Sequence, residues 1–402
     1  MRVSSRGNVD PFIVMDVMER ARALEQQGRS IIHMEVGQPG TPAPAGARAA
    51  LARAMDREAL GYTVALGLPA LRQGIAALYQ RWYGVDLNPD RVIVTAGSSA
   101  AFLLAFSAFF DAGEAVGLGL PGYPSYRHIL KALSLNAVGI PTGPDTRFQP
   151  TPALLPDGLA GLIVASPGNP TGTMLGQGDL ADLATACATR DIALISDEIY
   201  HGLHYGAPAV SALQVTDEVC VINSFSKYFS MTGWRIGWMV VPEPQIRRIE
   251  RLAQNMFICP PHASQIAALA ALDCTAELES NRAVYARNRS LMLDGLPRAG
   301  FTRIAPPDGA FYIYADVSDL TDDSRQLAAE ILNQAGVAVT PGLDFDPARG
   351  HASLRFSYAR ATEDIIEGLD RLQSFMAARL TVTSQSLIQN YPCLFMPLQG
   401  DV

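Results

Sequence analysis

Residues 161–200 read GLIVASPGNPTGTMLGQGDLADLATACATRDIALISDEIY, and this stretch contains the building unit of the fold. LIVAS (162–166) is a short apolar run bounded by turn residues, which reads as a buried strand. The rigid turn SPGNPTG (166–172) follows. GDLADLATACATRD (178–191) has the period of a helix, and IALIS (192–196) is a second strand that ends at an acid, Asp197. Working outward, VIVTA (92–96), AVGLG (115–119), VCVINS (219–224) and RIGWMVV (235–241) read as further strands. SAAFLLAFSAFF (99–110) reads as another helix. Strands that alternate with helices predict an α/β fold with a mostly parallel sheet covered on both faces. In such sheets a ligand sits beyond the carboxyl ends of the strands.

From about residue 276 the texture changes. AELESNRAVYARNRSLMLDGL is a long helical pattern that leads to FTRIAP and then AFYIYADV, a helix is expected around 323–335, and SLRFSYA (353–359) reads as a strand. ATEDIIEGLDRLQSFMAARL (361–380) reads as a closing amphipathic helix. The expected organisation is an N-terminal arm that shares a smaller domain (1–45), a large domain (46–275), a smaller α+β domain (276–380) and a tail of unassigned role (381–402). Residues 13–29 also look helical and are expected to join the smaller domain.

The 402 residues are 49% hydrophobic and 17% charged, with net charge −8. That composition builds a large core and excludes bulk disorder. It offers no basic face for nucleic acid. No apolar run reaches the roughly 18 residues of a membrane span. The N-terminus, MRVSSRGNVDPF, lacks the apolar core of a secretory signal. Five scattered cysteines (187, 220, 259, 274, 393) form no CxxC, which points to a reduced, cytoplasmic protein. The six histidines show no metal spacing. His201 and His204 lie in a loop-like HGLHYG, so no metal is expected.

The chain has 29 arginines and only two lysines, Lys131 and Lys227. A lysine amine can lose its proton and attack a carbonyl, which a guanidinium cannot do. Lys131 lies in a helical pattern and is expected to face solvent. Lys227 lies among small and aromatic residues. Other chemistry-bearing residues follow strand ends. Gly97-Ser98-Ser99 opens a helix, where free N–H groups and the dipole suit a phosphate. Asn169 sits in the proline–glycine turn. Asp197 ends one strand, and Ser224, Ser226 and Lys227 end another, with Arg235 eight residues later. Each signal has a plain structural alternative, a helix cap or an ordinary turn. As a set they suit a phosphorylated pyridinium aldehyde.

The chain resembles the class I and II aminotransferases, pyridoxal 5′-phosphate (PLP) enzymes of fold type I. The motifs are VGQP (36–39), GYTVALGLPALR (61–72), TAGSSAA (95–101), PGYPSY (121–126), SPGNPTG (166–172), SDEIY (196–200), SFSK (224–227), GWRIGW (233–238), GAFY (309–312) and LRFSYA (354–359). The resemblance implies that Lys227 forms the Schiff base and moves the proton, and that Asp197 pairs with the ring nitrogen. It implies that Asn169 and Tyr200 bond the ring oxygen and that Tyr123 stacks on the ring. Gly97, Ser98, Ser99, Ser224 and Arg235 would hold the phosphate. Arg355, Gly37 and Asn169 would hold the substrate carboxylate. Tyr62 would reach the neighbouring subunit's phosphate, which implies a homodimer. His201, Trp234, Trp238 and Phe311 are expected to be scaffold, and Tyr312 and Tyr314 core of the smaller domain.

The activity so implied is ping-pong transfer of an amino group from an α-amino acid to a 2-oxo acid. In aspartate-using relatives a lysine in the phosphate turn meets the distal carboxylate. This chain has Ser99 there, with Phe12 and Val14 on the arm, so a neutral or apolar donor is expected. Two alternatives are a C–S lyase of the same fold and a non-catalytic amino-acid-sensing regulator. The latter carries a DNA-binding module ahead of the fold, for which about ten residues leave no room here.

Overall fold

A computed structural model describes residues 1–390, with side chains to residue 379. The chain opens with exposed residues 1–11 and helix α1 (Ile13–Gln26), and then a two-residue strand β1 (Ile32–His33). Helices α2 (Ala45–Met55) and α3 (Pro69–Tyr83) lead to the main sheet. Pro69 starts α3, where its missing N–H costs nothing, and Gly84 ends it in the left-handed region at φ 69°.

The main sheet is built from β2 (Val92–Thr95), β3 (Ala115–Leu120), β4 (Asn136–Pro141), β5 (Leu159–Ala165), β6 (Ala193–Asp197), β7 (Cys220–Ser224) and β8 (Gly237–Val240). Its order is β2-β8-β7-β6-β5-β3-β4, and only β8 runs against its neighbours. The carboxyl ends of β2, β3, β5, β6 and β7 therefore share one edge. Helices α4 (Ser98–Phe109), α5 (Pro124–Ala132) and α6 (Gln177–Thr189) connect the strands. Alternation along the strands feeds two cores. Val92, Val94, Leu162 and Val164 pack on one face, and Ile93, Ile163, Ile195 and Ile222 on the other. Both faces are covered, which is why these strands are apolar until their carboxyl ends, where Thr95, Asp197 and Ser224 stand.

Helices α7 (Ile246–Met256), α8 (His262–Ala271) and α9 (Thr275–Arg298) follow. The second part holds β9 (Arg303–Ile304), β10 (Tyr312–Asp316), α10 (Ser324–Glu330), β11 (Val337–Ala338), β12 (Thr340–Pro341), β13 (Ser353–Ser357) and α11 (Thr362–Asn390). A four-stranded sheet has the order β12-β13-β10-β9, and β1 pairs in parallel with β11. The two ends of the chain are thus tied together.

The structure differs from the sequence reading in three places. The edge strand β4 escaped notice because NAVGIP is mostly exposed and carries Gly139 and Pro141. RIGWMVV is not strand throughout: Arg235 follows a helical turn at Thr232–Trp234 and sits at φ 51°, so the strand begins at Gly237. The closing helix does not stop at residue 380 but runs to Asn390, taking in half of the expected tail. Residues 391–402, with Cys393, lie outside the described residues. Among the described residues no helix is long and apolar enough to cross a membrane.

Candidate active site

Beyond the strand ends lies a cavity of about 200 Å³. Lys227, three residues past β7, enters it and donates from Nζ to the Gly37 carbonyl at 2.6 Å. Burial, and then the charge of Arg355, bring the Lys227 ammonium down to about 8. Asp197 ends β6 and is also buried. Its Oδ1 accepts from the Ile199 N–H at 3.1 Å, and the Tyr126 hydroxyl donates to Oδ2. Burial pushes the Asp197 carboxyl up to about 6.

The segments after β2 and β7 meet at an anion cradle. Gly97 caps α4 at φ 80°, and a Cβ there would lie 2.5 Å from Nη2 of Arg235. Only glycine lets the guanidinium approach the helix start. Ser98, Ser99, Ser226 and Thr232 line the cavity beside it. The first N–H groups of a helix have no partner within it, and the dipole there favours an anion.

Arg355, on β13, enters from the opposite side. It is 3% exposed, and its guanidinium lies between the rings of Tyr312 (4.3 Å) and Phe345 (4.6 Å). Nη1 donates to Oδ1 of Asn169 at 2.9 Å, and Nη2 donates to the Glu35 carbonyl. Nε is buried without a partner. A buried cation so held suits a planar anion such as a carboxylate. The Tyr200 hydroxyl pairs with that of Tyr312 at 2.7 Å. Phe12, Val14, Met15 and Val36 form an apolar wall at the mouth.

The family model for aminotransferase class I and II matches residues 29–372. The chain belongs to this family. It is 50% identical to the valine–pyruvate aminotransferase of Mycobacterium tuberculosis, covering 94% of this chain and 99% of that protein. It is 34% identical to the aspartate/prephenate aminotransferase of Thermus thermophilus, covering 90% and 95%. A solved chain from Silicibacter pomeroyi superposes with a TM-score of 0.90 at 66% identity, covering 94% of this chain and all of that one. The aspartate aminotransferase from Thermus thermophilus solved with maleate superposes at 0.87, with 32% identity, covering 93% of this chain and all of that one. The protein is therefore a PLP-dependent aminotransferase of fold type I, transferring an amino group to a 2-oxo acid.

The residues present fit PLP. The cradle at Gly97 and Arg235 suits a phosphate, and Lys227 is a buried amine within the same cavity as Asp197. Of the residues expected from sequence, the cavity wall collects Gly37, Ser98, Ser99, Tyr123, Asn169, Asp197, Tyr200, Lys227, Arg235 and Arg355. Gly97 stands just behind the wall, against Arg235. Ser224 does not face the cavity. Its hydroxyl lies 3.0 Å from the Ile236 carbonyl and accepts the Ser226 N–H at 3.1 Å, and Ser226 lines the cavity instead. Tyr62 is 83% exposed and lies away from this cavity.

Tyr126 and Tyr312 also line the cavity and were not singled out from sequence, and Ser226, named there beside Ser224 and Lys227, was not assigned to the phosphate. Ser226 lies in the same SFSK motif, two residues after Ser224 and past the end of β7. Tyr126 lies one helical turn after Tyr123, a spacing that puts both on one face. Tyr312 was read as core. It is core, but its hydroxyl and ring face also reach Tyr200 and Arg355. His201 is scaffold: its ring nitrogens contact the Ser166 carbonyl and the Tyr83 hydroxyl, and burial brings it down to about 3. Lys131 is exposed on α5.

Proposed function

We propose that this aminotransferase takes its amino group from a neutral or apolar α-amino acid and passes it to a small 2-oxo acid in a ping-pong cycle. The observation that carries this is the apolar mouth. Phe12, Val14, Met15 and Val36 stand where a substrate side chain would project, while the cations of the wall among the described residues are Lys227, Arg235 and Arg355. Each of those three has a role that a distal carboxylate would have to contest. An unpaired carboxylate is costly to bury, whereas apolar surface gains roughly 25 cal/mol per Å². A relative that shares half of the residues bears a name with valine and pyruvate in it.

In this reading the Arg355 guanidinium binds the substrate α-carboxylate, with Asn169 and the Gly37 backbone beside it. That fixes the α-C–H bond toward Lys227. Bound PLP supplies a protonated pyridine ring able to accept the electron pair that this bond leaves behind. Lys227, whose burial favours the neutral amine, takes the proton from the α-carbon and returns it on the other side of the transfer. Asp197 would face the ring nitrogen and favour its protonated form. Tyr200 and Asn169 would hold the ring oxygen, Tyr123 would cover the ring face, and Ser98, Ser99, Ser226 and Arg235 would hold the phosphate.

The assembly in this proposal is a cytoplasmic homodimer, with Tyr62 reaching the phosphate of the neighbouring subunit. Its exposure, together with that of Val64 (57%) and Ile258 (53%), supports such a contact. The domains are an arm with part of the smaller domain (1–45), the large domain (46–275) and the smaller domain (276–380). The deciding measurement is kcat/KM for valine, leucine, methionine and alanine beside aspartate. Apolar donors should lead. Aspartate ahead by about tenfold, worth about 1.4 kcal/mol of transition-state preference, would overturn the reading.

A further inference from the structure

Helix α1 begins without a cap of its own. The residue before it is Phe12, whose side chain accepts no hydrogen bond, although helix starts ordinarily carry Ser, Thr, Asp or Asn there. The acceptor comes from the far end of the chain. Asp344 accepts the Ile13 N–H on Oδ1 at 3.1 Å and the Val14 N–H on Oδ2 at 3.2 Å. It is 0% exposed and places an anion at the positive end of the helix. Elsewhere the helix is held differently. Ala21 and Leu24 pack on Ile31, Leu332 and Ala338, while residues 1–11 are exposed. The first turn of α1, with Phe12 and Val14 on the cavity wall, thus takes its backbone cap from one carboxylate.

Asp344 lies in a short turn that also reaches the rest of the site. The carbonyl of Phe345 accepts the Gly122 N–H at 3.0 Å, beside Tyr123, and its ring lies against Arg355. Arg127 donates to the Asp344 carbonyl at 2.7 Å. The turn holding the arm is therefore also packed on the carboxylate-binding arginine and on the segment that carries the aromatic wall. Phe12 stands edge-on to Tyr123, with ring centroids 6.0 Å apart.

We propose that Asp344 is a positioning residue for donor choice. It does not touch the substrate. By capping α1 from the opposite end of the chain, it fixes Phe12 and Val14 as a wall of set distance, and that wall grades donors by the size of their apolar side chain. This rests on the reading that the arm faces the substrate side chain, and it adds the residue that makes the arm selective.

The test is made on the holoenzyme, with the first half-reaction followed for leucine and alanine separately. In Asp344→Ala the leucine-to-alanine ratio of kcat/KM should fall about tenfold, within the range one or two methylenes command in an apolar pocket. The loss should lie mainly in KM for leucine, and amide exchange in residues 12–18 should speed up. Asp344→Asn, which keeps the shape and one acceptor oxygen, should fall between, and it serves if the alanine variant does not fold. In a Phe12→Ala, Val14→Ala background, adding Asp344→Asn should leave the ratio where it is, because the wall it positions is gone. An unchanged ratio in folded Asp344→Asn, or additive effects in the triple variant, would overturn the proposal. Aspartate as the best donor of the unaltered enzyme would instead overturn the apolar-mouth reading beneath it.

Discussion

The sheet side of the cavity takes Ser98, Asn169, Asp197 and Lys227 from segments that each follow a strand closely. The opposite side takes Phe12 and Val14 from one end of the chain, held in place by Asp344 from the other. On the sheet side each residue is placed by the strand before it, and the backbone is locked in a ladder buried on both faces. On the arm side, placement depends on contacts between residues more than 300 positions apart, such as Ile13 with Asp344. The first arrangement is rigid and suits chemistry common to every donor. The second can vary without disturbing the sheet, and so suits the choice of donor. Substitutions on the sheet side should therefore reduce turnover for all donors alike, while those on the arm side should alter their ratios.

The largest effect should come from Lys227. Lys227→Ala should abolish turnover with every donor, and Lys227→Arg should do no better, because a guanidinium keeps its proton. Borohydride reduction followed by peptide mapping should place the cofactor-derived mass on Lys227. Finding it on Lys131 would contradict the assignment. Next comes Asp197→Asn, which should keep the cofactor but lower kcat by about 100-fold or more, in equal measure for valine and alanine. A donor-dependent loss would blur the division between the two sides.

A smaller effect is expected from Tyr126→Phe. The ring still packs on Tyr123 and Phe102, but Asp197 loses a donor. A hydrogen bond to a charged group contributes about 1.5–3 kcal/mol, so kcat should fall about tenfold with donor ratios unchanged.

The subtlest expectation concerns stability against pH in the cofactor-free protein. Burial raises Asp197 from 3.8 to about 6, so its contribution to stability is full below 3.8 and is lost as pH rises through about 6. Burial lowers Lys227 from 10.5 to about 8, so its contribution is full above 10.5 and is lost as pH falls through about 8. Thermal melts should show Asp197→Asn gaining on the unaltered protein between those acid limits, by on the order of 2–3 kcal/mol. Lys227→Ala should gain as pH falls from 10.5 to about 8. A constant difference across either window would remove the pH linkage of that group.

Much of this molecule was determined by local sequence. VIVT, LAGLIVA and ALISD are apolar up to their last residues because both sheet faces are covered, and that pattern needs no partner to be read. The residues after these strands were legible for the same reason: their place follows from the strand alone. The family motifs then added Arg355 and Tyr62, which no local pattern would single out. What only the tertiary structure decided was side-chain direction and long-range pairing. The turn after β7 brought Ser226 rather than Ser224 to the cavity, and the exposed edge strand β4 had no apolar signature to announce it. Tyr312 became a site residue because its ring sits beneath Arg355 and its hydroxyl meets Tyr200. Asp344 shows no motif for helix capping, since the helix it caps starts 331 residues earlier. A hydrogen bond across that separation exists only once the chain has closed on itself, because nothing in either segment prefers the other until the core has brought both ends to one cavity.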